Sequence, residues 1–143
     1  MKKVMLLGIN SKFVHTNIAI RYIKKYVEKY SDIEIEIFEK TINNHVEEII
    51  ADIYRKKPEI LMISAYIWNS EYVYKLITEV KKVFKNLTLV LGGPEVSYNA
   101  IELMNKYNEI DYIISGEGEK TTLEFLTKDK KDVKGLYYRE EDK

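Results

Sequence analysis

The sequence predicts an α/β fold in three layers: a doubly wound sheet of five parallel strands in the order 2-1-3-4-5, with helices on both faces. Three observations predict it. Short apolar runs alternate with amphipathic segments five times along the 143 residues. The runs Val4-Met5-Leu6-Leu7, Ile60-Leu61-Met62-Ile63 and Leu87-Thr88-Leu89-Val90-Leu91 are near-continuously apolar, which marks strands covered on both faces and therefore central. Ile33, Ile35 and Ile37 instead alternate with Glu34 and Glu36, and Asp111-Tyr112-Ile113-Ile114 is short, so those two strands belong at edges.

The first strand empties into the loop Gly8-Ile9-Asn10-Ser11-Lys12-Phe13-Val14-His15. From Thr16 or Asn17, either of which can cap, Ile18, Tyr22, Ile23, Tyr26, Val27 and Tyr30 recur at helical spacing. A second helix opens at Asn43 or Asn44, with Glu47 in capping-box position after Asn44, and carries Val46, Ile49, Ile50 and Ile53 up to the punctuation of Pro58. The third strand ends in Ser64-Ala65-Tyr66-Ile67-Trp68-Asn69. Asn69 or Ser70 then caps a helix whose stripe is Val73, Leu76, Ile77, Val80, Val83 and Phe84. Gly92-Gly93-Pro94 cuts off the fourth strand, and Ser97 opens a helix carrying Ala100, Leu103, Met104 and Tyr107. The fifth strand ends in Ser115-Gly116-Glu117-Gly118-Glu119, before a last helix with Phe125 and Leu126. Most of the twelve tyrosines fall on helix stripes and are expected to pack.

Beyond that helix, Val133-Lys134-Gly135-Leu136-Tyr137-Tyr138-Arg139 reads as one more strand. It either closes the sheet as an extra antiparallel edge strand or leads into a further domain. Residues 1–132 are expected to form one Rossmann-like domain, and residues 133–143 a terminal strand leading toward a downstream one.

Composition excludes several classes. With 45% hydrophobic residues the chain supports one real core. Its 23 basic and 23 acidic residues cancel and are intermingled, so no one-sided basic surface is expected to attract nucleic acid or an anionic membrane. No apolar run is long enough to span a bilayer and no secretory segment follows Met1-Lys2-Lys3, so a cytoplasmic protein is expected. Cysteine is absent, which excludes disulfides, Cys-based zinc sites, thiol nucleophiles and thiolate-held iron–sulfur clusters within these residues.

In a 2-1-3-4-5 sheet the strand order reverses between strands one and three, and the loops after strands one, three, four and five converge at one carboxyl-end crevice. A phosphoacceptor site there needs carboxylates after strand one and an Asp ending strand three, whereas Gly8-Ile9-Asn10 and Ser64 stand in those places. A dinucleotide site needs G-x-G-x-x-G after the first strand, and only Gly8 is present. A flavodoxin-type phosphate loop needs hydroxyls and glycines together; Ser11 and Thr16 supply the hydroxyls without the glycine. Strand four offers something else. It ends in two glycines and feeds a helix start, leaving a main chain without Cβ atoms against which a bulky ligand can pass.

Ser64-Ala65-Tyr66 and Gly92-Gly93, about one helix apart, resemble the S-x-L and G-G elements of cobalamin-binding domains, which share the flavodoxin-like strand order. Asn10-Ser11-Lys12-Phe13-Val14-His15-Thr16, Tyr66-Ile67-Trp68-Asn69, Gly92-Gly93-Pro94-Glu95-Val96-Ser97 and Gly116-Glu117-Gly118-Glu119 extend the resemblance. Together they are similar to the amino-terminal domain of cobalamin-dependent radical S-adenosylmethionine proteins, the group containing the anaerobic magnesium-protoporphyrin IX monomethyl ester cyclase. The similarity runs over almost all of residues 1–139. It implies a cobalamin whose nucleotide tail threads into the sheet past Ser64 and Gly92-Gly93. Asn10, Ser11, His15, Tyr66, Trp68, Pro94, Glu95, Ser97, Gly116 and Glu117 would line the cofactor. The axial-histidine motif D-x-H-x-x-G is broken, because Phe13 and Ile18 flank His15 where Asp and Gly would stand. The resemblance therefore implies a base-off corrin with no protein ligand to cobalt. Tyr66 also replaces the leucine of S-x-L. The cluster motif C-x-x-x-C-x-x-C is missing, which places a 4Fe-4S cluster and S-adenosylmethionine only in a downstream barrel domain.

Plainer readings stand beside these. Ser64 either satisfies a nearby backbone group or bonds the tail. Gly92 and Gly93 also serve as an ordinary turn, and His15 as a polar residue at a helix start. Tyr66 and Trp68 pack in the core or rim, or lie against the corrin's lower face. Glu117 needs only the helix dipole to explain it. The expected function is a cofactor-binding module, non-catalytic by itself, that holds cobalamin for methyl transfer or related radical chemistry in its neighbour. The rival is a flavodoxin-like scaffold or docking domain that keeps the fold and binds no cobalamin.

Overall fold

A computed structural model describes residues 3–10, 18–41, 46–65, 70–92, 100–114, 118–128, 133 and 136–138. In chain order these form β1 (Lys3–Asn10), α1 (Ile18–Tyr30), β2 (Glu34–Thr41), α2 (Val46–Lys56), β3 (Ile60–Ala65), α3 (Ser70–Val83), β4 (Thr88–Gly92), α4 (Ala100–Lys106), β5 (Tyr112–Ile114), α5 (Gly118–Thr127) and β6 (Leu136–Tyr138). The strands make one sheet in the order β2-β1-β3-β4-β5-β6. Its first five members are parallel and follow the expected 2-1-3-4-5 order. The C-terminal apolar run is an antiparallel edge strand on β5, which leaves β5 internal although its shortness pointed to an edge.

Alternate residues of a strand face opposite ways, and here that divides the core into two layers. Met5, Leu7, Leu61, Ile63, Leu89, Leu91 and Ile113 pack with Ile49 and Ile53 of α2, Leu76 and Ile77 of α3, and Leu103 and Met104 of α4. Val4, Leu6, Ile60, Met62, Val90 and Ile114 pack with Ile23 and Val27 of α1 and Leu126 of α5. A strand that must satisfy both layers has no place for a polar side chain, which is why β1, β3 and β4 read as apolar runs. β6 shields β5 on both sides: Tyr137 adds to the first layer and Leu136 to the second.

The helices end for local reasons. α2 carries Glu47 and Glu48 in its first turn and Arg55 and Lys56 in its last, matching the helix dipole. Lys57 follows with a left-handed φ of 49° and donates its N–H to the Ile53 carbonyl at 2.8 Å, and Pro58 prevents continuation. The expected packing of the tyrosines is only partly realised. Tyr22 and Tyr30 on α1, Tyr54 on α2 and Tyr74 on α3 are exposed; among the described side chains of α1, Ile23 and Val27 are the buried ones that meet the sheet. Tyr30 instead rests on the ring of Tyr26, with centroids 4.8 Å apart. Val83, read as part of the α3 stripe, is also exposed; as the last residue of α3 it borders an open groove at the amino edge of the sheet. Among the described residues no helix is long and apolar enough to cross a membrane.

Candidate functional site

At the carboxyl edge the α1/α5 face of the sheet changes character within two residues. Leu6, Met62 and Val90 form its last bulky row, in register across β1, β3 and β4. The next row on that face is Gly8, Ser64 and Gly92, continued by Ile114 on β5. Over three central strands the side chains shrink to hydrogen, hydroxymethyl and hydrogen. Strands lie about 4.8 Å apart, so this lowered strip is roughly 10 Å wide. Ser64, only 6% exposed, is the one side chain in it that can hydrogen-bond.

Gly92 is the informative residue of the row. Its φ lies outside the left-handed region, so its backbone does not require glycine. A Cβ placed on it would meet the Ile114 carbonyl oxygen at 3.7 Å and the Ile114 Cβ at 4.0 Å, both ordinary contacts. Among the described residues nothing opposes a side chain here, and glycine at this point leaves space that they do not fill.

A second observation lies on α5. Thr122 is 1% exposed and, among the described residues, its Oγ1 has no hydrogen-bond partner. An unpaired buried hydroxyl costs about 1–3 kcal/mol, so its position calls for an explanation. Sequence reasoning assigned only Phe125 and Leu126 to this helix and missed Thr122. The available signal was a polar residue four positions before Leu126, on the same helical stripe. Gly8 was missed as well, since it was weighed only as a fragment of a dinucleotide motif.

Of the residues singled out in the sequence, the structure brings Ser64 and Gly92 together as register partners. Asn10 ends β1 opposite Thr41, two positions beyond Gly8 and at the outer side of the strip. Ser11, His15, Tyr66, Trp68, Gly93, Pro94, Glu95, Ser97, Gly116 and Glu117 lie outside the described residues. The caps proposed at Thr16, Asn17, Asn43, Asn44 and Asn69 do so too.

Tyr72, near the start of α3, has its phenol raised above the ordinary value, first by burial and then by the charge of Glu48, so it stays neutral. The row of Gly8, Ser64 and Gly92 holds no ionisable group. The open groove of about 650 Å³, lined by Ile53, Tyr54, Pro58, Ile60, Phe84 and Leu87, lies at the opposite, amino edge of the sheet and away from this row.

A strip of minimal side chains with a buried hydroxyl lies at the carboxyl edge of a doubly wound sheet, the edge at which open α/β sheets take up ligands. The chain belongs to the B12 binding domain family, which matches residues 4–126. It is similar to the cobalamin-dependent radical SAM methyltransferase TokK of Streptomyces tokunonensis, with 33% identity over 70 residues, 49% of this chain and 10% of that protein. An uncharacterized methyltransferase of Pyrococcus horikoshii is 27% identical over 136 residues, covering 88% of this chain and 28% of its own length. In fold, the chain matches the cobalamin-dependent S-adenosylmethionine radical enzyme OxsB, solved with aqua-cobalamin and S-adenosylmethionine bound. The TM-score is 0.81 at 16% identity, over 99% of this chain and 21% of the other. The chain thus spans only a tenth to just over a quarter of the relatives it matches.

Proposed function

We propose that this chain is the cobalamin-holding module of a radical S-adenosylmethionine methyltransferase or related enzyme. The observation that carries the reading is the row of Gly8, Ser64 and Gly92, the one stretch of the described carboxyl edge where three adjacent strands carry no bulky side chain. Gly92 supplies the fit, because a ligand passing against β4 would occupy the space its missing Cβ leaves. Cobalamin, when bound, supplies a cobalt centre able to carry a methyl group or pass electrons. The chain's own work is to bind and orient it. Gly8, Ser64 and Gly92 would take the nucleotide tail, with Asn10 at the outer side of the strip. Ser11, His15, Tyr66, Trp68, Gly93, Pro94, Glu95, Ser97, Gly116 and Glu117 would complete the cradle.

In this reading the corrin is base-off without a protein histidine on cobalt, because Phe13 and Ile18 break the motif around His15. The iron–sulfur cluster and S-adenosylmethionine belong to a barrel domain downstream, approached through the strand within residues 133–143. The setting is cytoplasmic, in keeping with the absence of cysteine and of any apolar run of spanning length.

The test is retention of corrinoid. Purified chain mixed with hydroxocobalamin and desalted is expected to keep a corrin spectrum in about 1:1 amount, and bound cob(II)alamin to show no axial nitrogen hyperfine splitting. A colourless protein after desalting would favour the scaffold reading. An axial nitrogen signal that disappears in His15→Ala would overturn the unligated cobalt.

A further inference from the structure

We infer that the outer edge of β2 is a strand-pairing surface for a second copy of this chain, and that Lys24 and Glu28 of α1 hold it closed. The inference concerns the β2 edge of the sheet and does not depend on the cobalamin reading.

An edge strand carries backbone groups that its one neighbour cannot satisfy. β2 is such a strand, paired among the described residues with β1 alone. At Ile35 a single helical ion pair takes both of the outward groups. The Ile35 N–H donates to Glu28 Oε2 at 3.1 Å, Lys24 Nζ donates to the Ile35 carbonyl, and Lys24 and Glu28 are themselves bonded at 2.7 Å. Just before the strand, the Ile33 N–H donates to Ser31 Oγ at 3.2 Å. The N–H and C=O of one strand residue point to the same side, and the side alternates along the strand, so Ile35, Ile37 and Glu39 all face outward. Further along, Arg21 pairs with the Glu39 carboxylate at 3.3 Å. Arg21, Lys24 and Glu28 thus form one stripe of α1 laid along the edge.

The occupant that fits this edge is the same strand from another copy. Outward residues must face outward residues, and an antiparallel, two-fold pairing centred on Ile37 satisfies that condition. Ile37 then faces its own counterpart, Ile35 faces Glu39, and Glu34 of each copy stands opposite Lys40 of the other, two attractive charge pairs in one interface. Lys40 keeps Asp52 as a partner at 3.0 Å and has donors to spare. This register needs the Ile35 N–H and C=O, which are the two groups that Glu28 and Lys24 occupy. The clamp and the pairing therefore exclude each other.

Sedimentation velocity over a concentration series compares the unaltered chain, Lys24→Ala/Glu28→Ala, and that double variant with Glu34→Lys added. The unaltered chain is expected to stay monomeric and the double variant to dimerise. Glu34→Lys sets lysine against lysine twice and should weaken that dimer about tenfold. Hydrogen exchange at the Ile35 amide reads the clamp directly, and in dilute double variant it should be about tenfold faster than in the unaltered chain. Alanine favours helix, so α1 should persist; if the double variant nevertheless unfolds, Glu28→Ala alone frees the Ile35 N–H and is read in the same two ways. A folded, opened variant that stays monomeric would overturn the pairing surface. Unchanged Ile35 exchange, or an unaltered chain that already dimerises as strongly as the variant, would overturn the clamp, and a dimer indifferent to Glu34→Lys would overturn the register.

Discussion

Ser64 and Gly92 are register partners on β3 and β4, at the last rung of that ladder. One offers a hydroxyl and the other an absence, and replacing them separates the two contributions. In Gly92→Ala the new Cβ sits 3.7 Å from the Ile114 carbonyl oxygen, an ordinary contact, and nothing among the described residues opposes it. Alanine in a strand should even add about 0.5–1 kcal/mol of stability. A tail lying against β4 collides with that methyl, so corrinoid retention should fall at least tenfold while the thermal midpoint holds or rises. Ser64→Ala removes a single hydrogen bond worth about 1 kcal/mol and should weaken binding roughly fivefold to tenfold. Undiminished binding by a folded Gly92→Ala protein would remove the steric role argued for that glycine.

Asp111 ties the opposite edge together. Its Oδ2 accepts from the Leu89 N–H at 2.8 Å and from Lys81 Nζ at 2.7 Å. Lys81 also donates to the Leu87 carbonyl at 2.7 Å, and the Asp111 N–H donates to the Leu89 carbonyl at 2.9 Å. One carboxylate thus fastens the start of β4 to α3 and to the approach to β5. Asp111→Ala should destabilise the chain by about 2–3 kcal/mol, because the Leu89 N–H loses its charged acceptor and Lys81 its counter-ion. Asp111→Asn should cost less, since its amide oxygen still accepts one bond. Urea melts measure both, and corrinoid affinity below the transition should not move, because the site lies at the other end of the strands. A loss under about 0.5 kcal/mol for Asp111→Ala would reduce the pair to an ordinary surface salt bridge.

Acid stability should depend on Asp52. Burial pushes its carboxyl up, but Lys40 at 3.0 Å and Arg55, which donates to its other oxygen, more than offset this and hold it below the ordinary value. A carboxyl lowered on folding stabilises the folded state above its unfolded pKa of about 3.9, and that stabilisation fades as pH falls through the folded value. Glu28 acts in the same direction: the Lys24 ammonium outweighs a smaller burial effect, and the Ile35 N–H assists. Asp52→Asn should therefore be less stable than the parent at neutral pH, with the gap closing below about pH 4. Denaturation free energies between pH 2 and 7 measure this. Parallel curves for the two proteins would show that Asp52 carries no such linkage.

The strand order was legible because burial on both faces leaves a mark in one dimension: Val4 and Leu6 serve one layer, and Met5 and Leu7 the other. Ser64 and Gly92 were legible as a resemblance to known elements, and the register sets them side by side. Gly8 was not, because its value comes from standing beside Ser64 across β1 and β3, a relation fixed by pairing and invisible along the chain. Thr122 escaped for a related reason. A threonine on a helix stripe has a default partner in the preceding turn, and only side-chain geometry reveals that the bond is not made. Tyr22 and Tyr30 misled in the other direction. Their spacing is helical, but a ring with a hydroxyl tip tolerates water, so periodicity overstated the width of the buried stripe on α1.

The last prediction concerns chemistry that these residues should not perform. Reductive cleavage of S-adenosylmethionine needs an electron from an iron–sulfur cluster, a radical cluster of this kind is held by thiolates, and this chain contains no cysteine. Binding cobalamin does not supply the missing ligands, since the row of Gly8, Ser64 and Gly92 offers only a hydroxyl and backbone groups. Anaerobic incubation of the chain with cobalamin, S-adenosylmethionine and a strong reductant is therefore expected to yield no 5′-deoxyadenosine above the protein-free control. Corrinoid retention measured on the same sample verifies that the domain is loaded. Multiple-turnover product from the loaded, cysteine-free chain would overturn the proposed division of labour, in which this domain holds the corrinoid and a neighbouring domain generates the radical.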